Sequence, residues 1–313
     1  MASSLTGPLV KFLRWFLATS LAALALLGCA ALDQKQREWV FQPSDRSWGA
    51  GAHIAAGMQE LWIEFHPRSH GAQNPDEAST SAHPLAQTSA SAGLEPGPPS
   101  ARLHALWAAG TSDQAPVLLY LHGARFNVAG SAMRIQRMQE LGFAVLAIDY
   151  RGFGKSTPGL PSEQSAYEDA RAAWDWLRTH KGKQARYIFG HSLGAAIAIE
   201  LAAQVDDERG TIVEGAFTSI PDVVSTYKWG WLPVGPLITQ RFEAGRRVPN
   251  IGSPLLVVHG ANDGTIHPEL GRKLYEAALQ PKRMVLVEGA SHHNTMWMGL
   301  GQYRQALREM FGI

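Results

Sequence analysis

Apolar residues recur in short, nearly continuous runs through the second half of the chain. The runs cover residues 117–121, 143–148, 187–189, 212–217, 255–258 and 284–287. Continuous rather than alternating apolar residues are typical of parallel strands that are buried on both faces. The pattern therefore predicts a parallel sheet enclosed within the protein.

The residues between these runs have the spacing of amphipathic helices. Ser165-Ala166-Tyr167-Glu168 has the form of a capping box, and the apolar residues that follow it recur on one helical face. Further helices are predicted over residues 193–203, 267–279 and 296–311. Strands that alternate with helices predict an α/β fold, with a mostly parallel central sheet and helices on both faces. In such folds the chemistry lies at the carboxyl ends of the strands.

The first half of the chain has a weaker pattern. Residues 59–65 are predicted to form a first strand, with residues 102–109 as its hairpin partner. Between them, residues 66–101 contain no Val, Ile, Phe, Tyr or Trp and are rich in Ser, Ala, Pro and Gly. Such a segment has too little apolar surface to offset the entropy of ordering it, so we expect a disordered surface insertion.

The N-terminus has the organisation of an export signal. Lys11 and Arg14 precede an uncharged apolar run over residues 15–27, which ends in Leu26-Leu27-Gly28-Cys29. This ending resembles the bacterial lipoprotein box, which implies a signal peptide over residues 1–28 and a multiply acylated Cys29. The alternative is an uncleaved anchor helix in which Cys29 is a structural thiol. Residues 29–47 are expected to form a linker into a domain over residues 48–313.

The composition excludes several functional classes. The 313 residues carry a net charge of +1, which gives no reason to expect a nucleic acid partner. Cys29 is the only cysteine, so no intramolecular disulfide can form. Because no C-x-x-C or H-E-x-x-H pattern occurs, no metal site and no cofactor are expected. The oligomeric state stays open.

The strongest chemical motif follows the strand predicted at residues 187–189. Gly190-His191-Ser192-Leu193-Gly194 is a G-x-S-x-G sequence that connects this strand to a helix. A serine in such a turn is strained and exposed above the sheet, and side chains at the two glycine positions would collide with neighbouring elements. Ser192 is the candidate nucleophile. The alternative is a glycine-rich turn with an inert serine.

A serine hydroxyl needs a base to take its proton, and the base needs a carboxylate to orient it. Asp263 follows the apolar run at residues 255–258, and His292 and His293 follow the run at residues 284–287. Both positions are strand exits, in the chain order acid before histidine. The segment resembles a Gly-x-Ser/Thr-His arrangement in which that histidine is the base, which favours His292 over His293. Asp222 is the alternative acid.

Residues 116–311 as a whole resemble the α/β-hydrolase superfamily. The resemblance is to its serine-aminopeptidase-like branch, which includes esterases and lipases similar to monoacylglycerol lipase. His122-Gly123-Ala124-Arg125 resembles the His-Gly-x turn of the superfamily, which implies that the N–H of Ala124, joined or replaced by that of Arg125, binds the oxyanion together with the N–H of Leu193. His191 and His259 are expected to have structural or supporting roles.

Residues 221–250 lie where this superfamily carries its cap. Their apolar residues predict either a lid over an acyl pocket or a short helical connection that packs on the core. The resemblance implies ester hydrolysis on a small-molecule acyl substrate, in a bacterial cell envelope, with Cys29 anchoring the chain at the periplasmic or outer-membrane face. A thioesterase, an amidase or peptidase and an acyltransferase remain alternatives, because they share the same triad. A lipid-anchored binding protein without turnover is the alternative from another class.

Overall fold

The fold is known from a computed structural model, which describes residues 15, 19, 28–44, 51–67, 101–228 and 230–313. Most of the predicted signal peptide and of the predicted insertion lies outside the described residues, as does Trp229 of the predicted cap.

One sheet of eight strands runs through the described part of the chain. The strands are β1 (Gln59–Phe65), β2 (Ala101–Ala108), β3 (Val117–Leu121), β4 (Ala144–Ile148), β5 (Arg186–His191), β6 (Thr211–Glu214), β7 (Leu255–Gly260) and β8 (Lys282–Val287), in the spatial order β1-β2-β4-β3-β5-β6-β7-β8. β1 and β2 form the predicted antiparallel hairpin, and β2 is antiparallel to β4. The other pairs are parallel, which confirms the predicted mostly parallel sheet.

Helices cover both faces of this sheet. They are α1 (Gly51–Ala55), α2 (Ala132–Glu140), α3 (Glu163–His180), α4 (Leu193–Ala202), α5 (Ile220–Ser225), α6 (Ala244–Arg247), α7 (Pro268–Ala277), α8 (Thr295–Met298) and α9 (Leu300–Phe311). Alternate residues of one strand face opposite sides. Leu119 of β3 accordingly lies in one core with α3 and α4, and Leu118 lies in the other with α2 and α9.

Three predicted boundaries differ from the structure. The cap of α3 is Ser162, whose hydroxyl accepts the N–H of Ser165, so the helix begins earlier than the predicted capping box. The last predicted helix is divided at Gly299, where a Cβ would lie 2.6 Å from a methyl carbon of Val287. β6 ends at Glu214 because Gly215 takes a φ of +61°, a left-handed conformation that terminates the strand.

The segment predicted as a linker is ordered where the structure describes it. Residues 28–41 are helical and residues 42–44 follow without helix; we call residues 28–44 the N-terminal strap. The strap adheres to the domain because Val40 and Phe41 are buried in the core of the sheet. Cys29 is exposed at its start. Among the described residues, no helix is long and apolar enough to cross a membrane.

The predicted cap region consists of short helical turns and connecting loops. α5, α6 and two 3₁₀ turns, Gly235–Leu237 and Val248–Asn250, account for its regular structure. Phe242 and Val248 are buried in the core, whereas Trp231 and Leu237 are largely exposed. The region therefore has features of both interpretations, a connection packed on the core and an apolar outer surface.

Candidate active site

Ser192 lies at the tip of the turn between β5 and α4. Its φ is +56°, in the left-handed region that a residue with a side chain seldom adopts. A Cβ on Gly190 would lie 2.2 Å from the carbonyl oxygen of Gly194, and a Cβ on Gly194 would lie 2.1 Å from that of Leu121. These distances confirm the expectation that side chains at either glycine collide with neighbouring elements. The turn can form only because both positions are glycine.

The structure brings Ser192, His292 and Asp263 together from three strand exits. Nε2 of His292 lies 3.0 Å from Oγ of Ser192, and Nδ1 of His292 lies 2.7 Å from Oδ2 of Asp263. A carboxylate accepts and does not donate, so Nδ1 carries the proton of the neutral ring and Nε2 accepts from the Ser192 hydroxyl. The ring is buried and held between its two partners.

Asp263 is surrounded by donors. Its Oδ1 accepts the N–H groups of Thr265 and Ile266 at 2.9 and 2.8 Å, and Nε2 of His259 lies 3.4 Å from its Oδ2. Burial alone would raise the pKa of this carboxyl, but the hydrogen bonds of His259, His292 and Ile266 outweigh it and hold the pKa well below its ordinary value. Asp263 is therefore ionised at neutral pH.

Asp222, the alternative acid, has a different position. Its Oδ2 accepts the hydroxyls of Thr218 and Ser219 at 2.5 and 2.7 Å, in the first turn of α5. These bonds give it a capping role at that helix, and the carboxylate that contacts His292 is that of Asp263.

The second histidine, His293, lies beside the first. Its ring meets that of His292 edge-on at 5.3 Å between centroids. Burial, with the neighbouring His292 and Arg134, lowers the pKa of His293. The histidine whose Nε2 the structure brings to Oγ of Ser192 is His292.

A buried ionic network lies beneath the histidines, and sequence reasoning missed it. The guanidinium of Arg134 on α2 pairs with Oε1 of Glu214 at the end of β6, and the hydroxyl of Tyr303 on α9 donates to Oε2 of the same carboxylate. Nη2 of Arg134 also donates to the carbonyl of His293 at 3.1 Å. The carbonyl of Glu214 accepts the N–H of Ser192 at 2.9 Å. Glu214 therefore connects the turn of Ser192, through Arg134, to the loop that carries His292 and His293, which we call the histidine loop.

His191 adds a second contact to that loop. Its Nε2 lies 3.3 Å from the carbonyl of His292 and 3.8 Å from Oε1 of Glu214. Burial, with the charge of Arg134 second, lowers the pKa of His191 well below its ordinary value. A neutral ring with a proton on Nε2 is therefore the state that these contacts favour, which agrees with the expected supporting role.

The turn predicted to bind the oxyanion lies directly beside the nucleophile. A Cβ on Gly123 would come within 3.0 Å of the Cβ of Ser192. The N–H of Arg125, predicted to join or replace that of Ala124, donates to the carbonyl of Phe41 at 2.8 Å and is therefore already engaged. Among the described residues, no hydrogen bond engages the N–H of Ala124. Ala124 and Leu193, at the N-terminus of α4, remain as the candidate donors.

The side chains near the site do not form a metal cluster. In the ranges that the structure describes, no group of three or more His, Cys, Asp or Glu could hold a metal ion. The buried pair His122 and Asp149 lies close by, with 3.7 Å between Nε2 and Oδ1. Nδ1 of His122 contacts the carbonyl of Gly123 at 2.7 Å. Burial lowers the pKa of His122, which favours a neutral ring that braces the Gly123 turn.

Comparison with known proteins finds relatives of this chain. Residues 112–244 match the model of the Hydrolase_4 family, described as serine aminopeptidase, S33. An uncharacterized protein of Mycobacterium tuberculosis is 35% identical over 184 residues, which are 57% of this chain and 63% of that protein. The lysophosphatidylserine lipase ABHD12 of Danio rerio is 33% identical over 189 residues, 54% of this chain and 49% of that protein. The chain thus matches about half to three-fifths of the length of these curated relatives.

Solved structures share the fold at lower identity. The esterase Pf2001 of Pyrococcus furiosus superposes with a TM-score of 0.60 and 18% identity, covering 87% of this chain and 97% of that one. Est1E of Butyrivibrio proteoclasticus, with ferulic acid bound, gives a TM-score of 0.59 and 17% identity over 68% of this chain and 97% of that one. At such low sequence identity, the comparison establishes a shared fold and nothing about function.

Proposed function

We propose that this chain, which belongs to the α/β-hydrolase superfamily, is a serine hydrolase that cleaves carboxylic esters with an apolar acyl chain. The observation that carries the proposal is the pair of hydrogen bonds that joins Ser192, His292 and Asp263, at 3.0 and 2.7 Å. These distances match what nucleophilic catalysis needs between nucleophile, base and orienting acid.

The reaction begins when Oγ of Ser192 attacks the ester carbonyl carbon. His292 takes the hydroxyl proton on Nε2, and the negative charge passes to the former carbonyl oxygen, where the N–H groups of Ala124 and Leu193 bind it. When the C–O bond breaks, His292 returns the proton to the leaving alcohol. A water molecule then attacks the acyl-serine by the same route, which releases the carboxylic acid and restores Ser192.

Asp263 has an electrostatic and an orienting role in this scheme. Its ionised carboxylate fixes the proton of His292 on Nδ1, so that Nε2 is free to act as the base. When His292 becomes positively charged, the negative charge 2.7 Å away stabilises it. The low pKa of Asp263 means that it keeps its charge during the reaction.

The substrate class is inferred from the relatives and from the surface of the cap. The similarity to a lysophosphatidylserine lipase supports an acyl ester. Trp231 and Leu237 expose apolar surface in the cap region, which suits a hydrophobic acyl group. Thioesters, amides and acyl transfer to another alcohol use the same residues, so a substrate panel must separate them.

Anchoring in a bacterial cell envelope through lipid on Cys29 is a second part of the proposal. The Leu26-Leu27-Gly28-Cys29 sequence and the exposure of Cys29 at the start of the N-terminal strap support it. Two or more acyl chains hold a protein stably at a membrane. Expression with radiolabelled palmitate should label the wild-type chain and leave Cys29→Ser unlabelled. Equal labelling of both proteins, or of neither, would contradict the anchor.

Labelling with a fluorophosphonate probe tests the hydrolase proposal most directly. We expect stoichiometric modification of Ser192 in the wild-type protein, none in Ser192→Ala, and full modification in the matched control Ser225→Ala, an exposed serine on α5. Esters of graded chain length, with the matched thioester and amide, then define the substrate. A wild-type protein that does not react with the probe would instead identify a binding protein without turnover.

A further inference from the structure

The N-terminal strap makes direct contact with residues 123–126, the candidate oxyanion turn. The carbonyl of Phe41 accepts the N–H of Arg125 at 2.8 Å, and Pro43 forms an isolated bridge with Phe126. Oε1 of Gln42 accepts Nε of Arg125 at 3.0 Å. Three consecutive residues of the strap therefore hold two consecutive residues of the turn.

The strap is itself fixed at this point. The ring of Phe41 is fully buried and meets the ring of Phe153 edge-on at 6.3 Å and that of Phe242 at 5.8 Å. The ring of Phe153 in turn lies 5.0 Å from that of His122, which braces Gly123. Phe41 is thus a buried anchor whose main-chain carbonyl has a defined position relative to the oxyanion turn.

More distant contacts position the rest of the strap. Nε of Arg37 donates to the carbonyl of Pro161 at 2.8 Å, on the connection between β4 and α3. Asp33 and Gln36 bind Thr239 of the cap region at 2.7 Å each. The strap therefore spans the oxyanion turn and the cap region, and it lies outside residues 112–244, which match the family model.

The turn needs external support because its conformation is unfavourable. Arg125 and Phe126 have φ values of +71° and +61°, in the left-handed region that side-chain-bearing residues avoid. Two such residues in succession persist only where surrounding contacts over-determine them. The bond from the N–H of Arg125 to Phe41 is such a contact, and it also keeps that N–H from competing with Ala124 for an oxyanion.

We propose that Phe41 is a positioning residue of the oxyanion hole. Its carbonyl holds the peptide of Arg125 so that the preceding N–H, that of Ala124, is directed at the oxyanion beside Ser192. The inference rests on the proposed hydrolase function and adds to it a segment from outside the matched family region. It predicts that loosening the strap slows turnover without weakening substrate binding.

The test compares Phe41→Ala with the matched control Trp39→Ala in the full-length protein. Trp39 is also an aromatic residue of the strap, but its side chain is 55% exposed. A short-chain soluble ester serves as substrate, and every rate is divided by the concentration of sites that react with a fluorophosphonate. We expect kcat to fall at least about tenfold for Phe41→Ala with KM unchanged, since loss of one whole donor costs about 100- to 1,000-fold. Trp39→Ala should keep its kcat.

Two milder variants keep the test decisive if Phe41→Ala folds poorly. Phe41→Leu retains an apolar anchor, so it should recover much of the lost kcat. Gln42→Gly suits the φ of +48° at that position and removes the side-chain bonds to Nε of Arg125 and to the carbonyl of Trp39, so a smaller fall in kcat is expected. Affinity for a boronic acid, which forms a tetrahedral adduct on serine, should fall in parallel with kcat. The pH midpoint of kcat/KM should stay unchanged, because Phe41 and Gln42 act through Arg125 and the triad residues are left intact.

The possible outcomes separate the inference from the function on which it rests. Unchanged kcat per reactive site in Phe41→Ala, or in Gln42→Gly if Phe41→Ala does not fold, would show a purely structural strap and overturn the inference alone, even if thermal stability is lowered. A shifted pH midpoint would trace the loss to the triad and would also overturn it. A wild-type protein that neither reacts with the probe nor hydrolyses the ester would overturn both.

Discussion

The Arg134–Glu214 ion pair is the buried contact whose loss we expect to be most costly. The side chains of Arg134 and Glu214 are 10% and 1% exposed, and Tyr303 donates the other hydrogen bond to the carboxylate. Arg134→Met fills a similar volume but leaves a buried carboxylate without its cation. Removing one partner of a buried pair costs about 3–5 kcal/mol, compared with a total stability of about 5–15 kcal/mol.

A double-mutant cycle distinguishes this penalty from the loss of favourable attraction. Glu214→Leu removes the carboxylate, and the double variant Arg134→Met/Glu214→Leu removes both charges. Because a buried pair replaced by apolar residues is often nearly neutral, the double variant should be more stable than Arg134→Met alone, by about 2 kcal/mol or more. Urea unfolding, followed by tryptophan fluorescence and by circular dichroism, measures the free energies and shows whether the transitions coincide.

The control lies on the same helix. Arg137→Met breaks an exposed pair with Glu140, for which a loss of about 0–1 kcal/mol is expected. If Arg134→Met unfolded at the same urea concentration as Arg137→Met, or if the double variant lost the sum of the single losses, the reasoning about buried charge would be refuted. The kcat of Arg134→Met should also fall, because its Nη2 no longer holds the carbonyl of His293.

Three further predictions follow from the site. His292→Gln should lose nearly all esterase activity and His293→Gln should retain most of it, because Nε2 of His292 is the base that contacts Oγ of Ser192; equal losses in steady-state assays would contradict this. Burial lowers the pKa of His191 from 6.5, so only the unfolded chain gains its proton below that pH, and folding loses stability as the pH falls. His191→Gln should reduce that slope by up to ~1.4 kcal/mol per pH unit between pH 6.5 and 5, measured by urea unfolding, and an unaltered slope would count against it. Gly194→Ala should destabilise the fold by roughly 3 kcal/mol, because its Cβ meets the carbonyl of Leu121; a wild-type unfolding midpoint would contradict the collision.

The sheet could be predicted from sequence because its signal is local. Each core strand contains a short apolar run, and the residues of β3 and β4 are apolar and buried at every position. An error in a predicted helix boundary occurs where a single residue contacts an element that is distant in the sequence. The last helix is divided at Gly299, where Val287 of β8 leaves no room for a Cβ, a contact that helical periodicity in the sequence does not reveal.

The candidate triad could be predicted because strand exits in an α/β sheet converge. Asp263 and His292 each follow a strand, and adjacent parallel strands bring their exits to one edge. Glu214 is the last residue of a strand, β6, yet its role was missed because its side-chain partners lie far away along the sequence. Arg134 and Tyr303 belong to separate helices, 80 and 89 residues away along the chain, and the sequence offers no pattern that pairs them with it.

The donor in the oxyanion turn was also difficult to predict from the sequence. The sequence resemblance left Ala124 and Arg125 as alternative donors, and the difference between them depends on a main-chain carbonyl, that of Phe41. A main-chain carbonyl is present at every position, so no residue type marks the one that matters. Only the burial of the Phe41 ring, which depends on the packing of Phe153 and Phe242, decides where that carbonyl lies.

The two supports of the site should therefore fail in different ways. The Arg134–Glu214 network contributes both to folding and to the position of the histidine loop, so its variants should lose stability and turnover together. The bond from Arg125 to Phe41 lies at the edge of the domain, on a strap held largely by one buried ring and a few polar contacts. Its loss exposes little of the core, so turnover should fall further than stability. Measuring both quantities for Arg134→Met and Gln42→Gly would show whether the loop of His292 and the turn of Ala124 are supported by separate contacts.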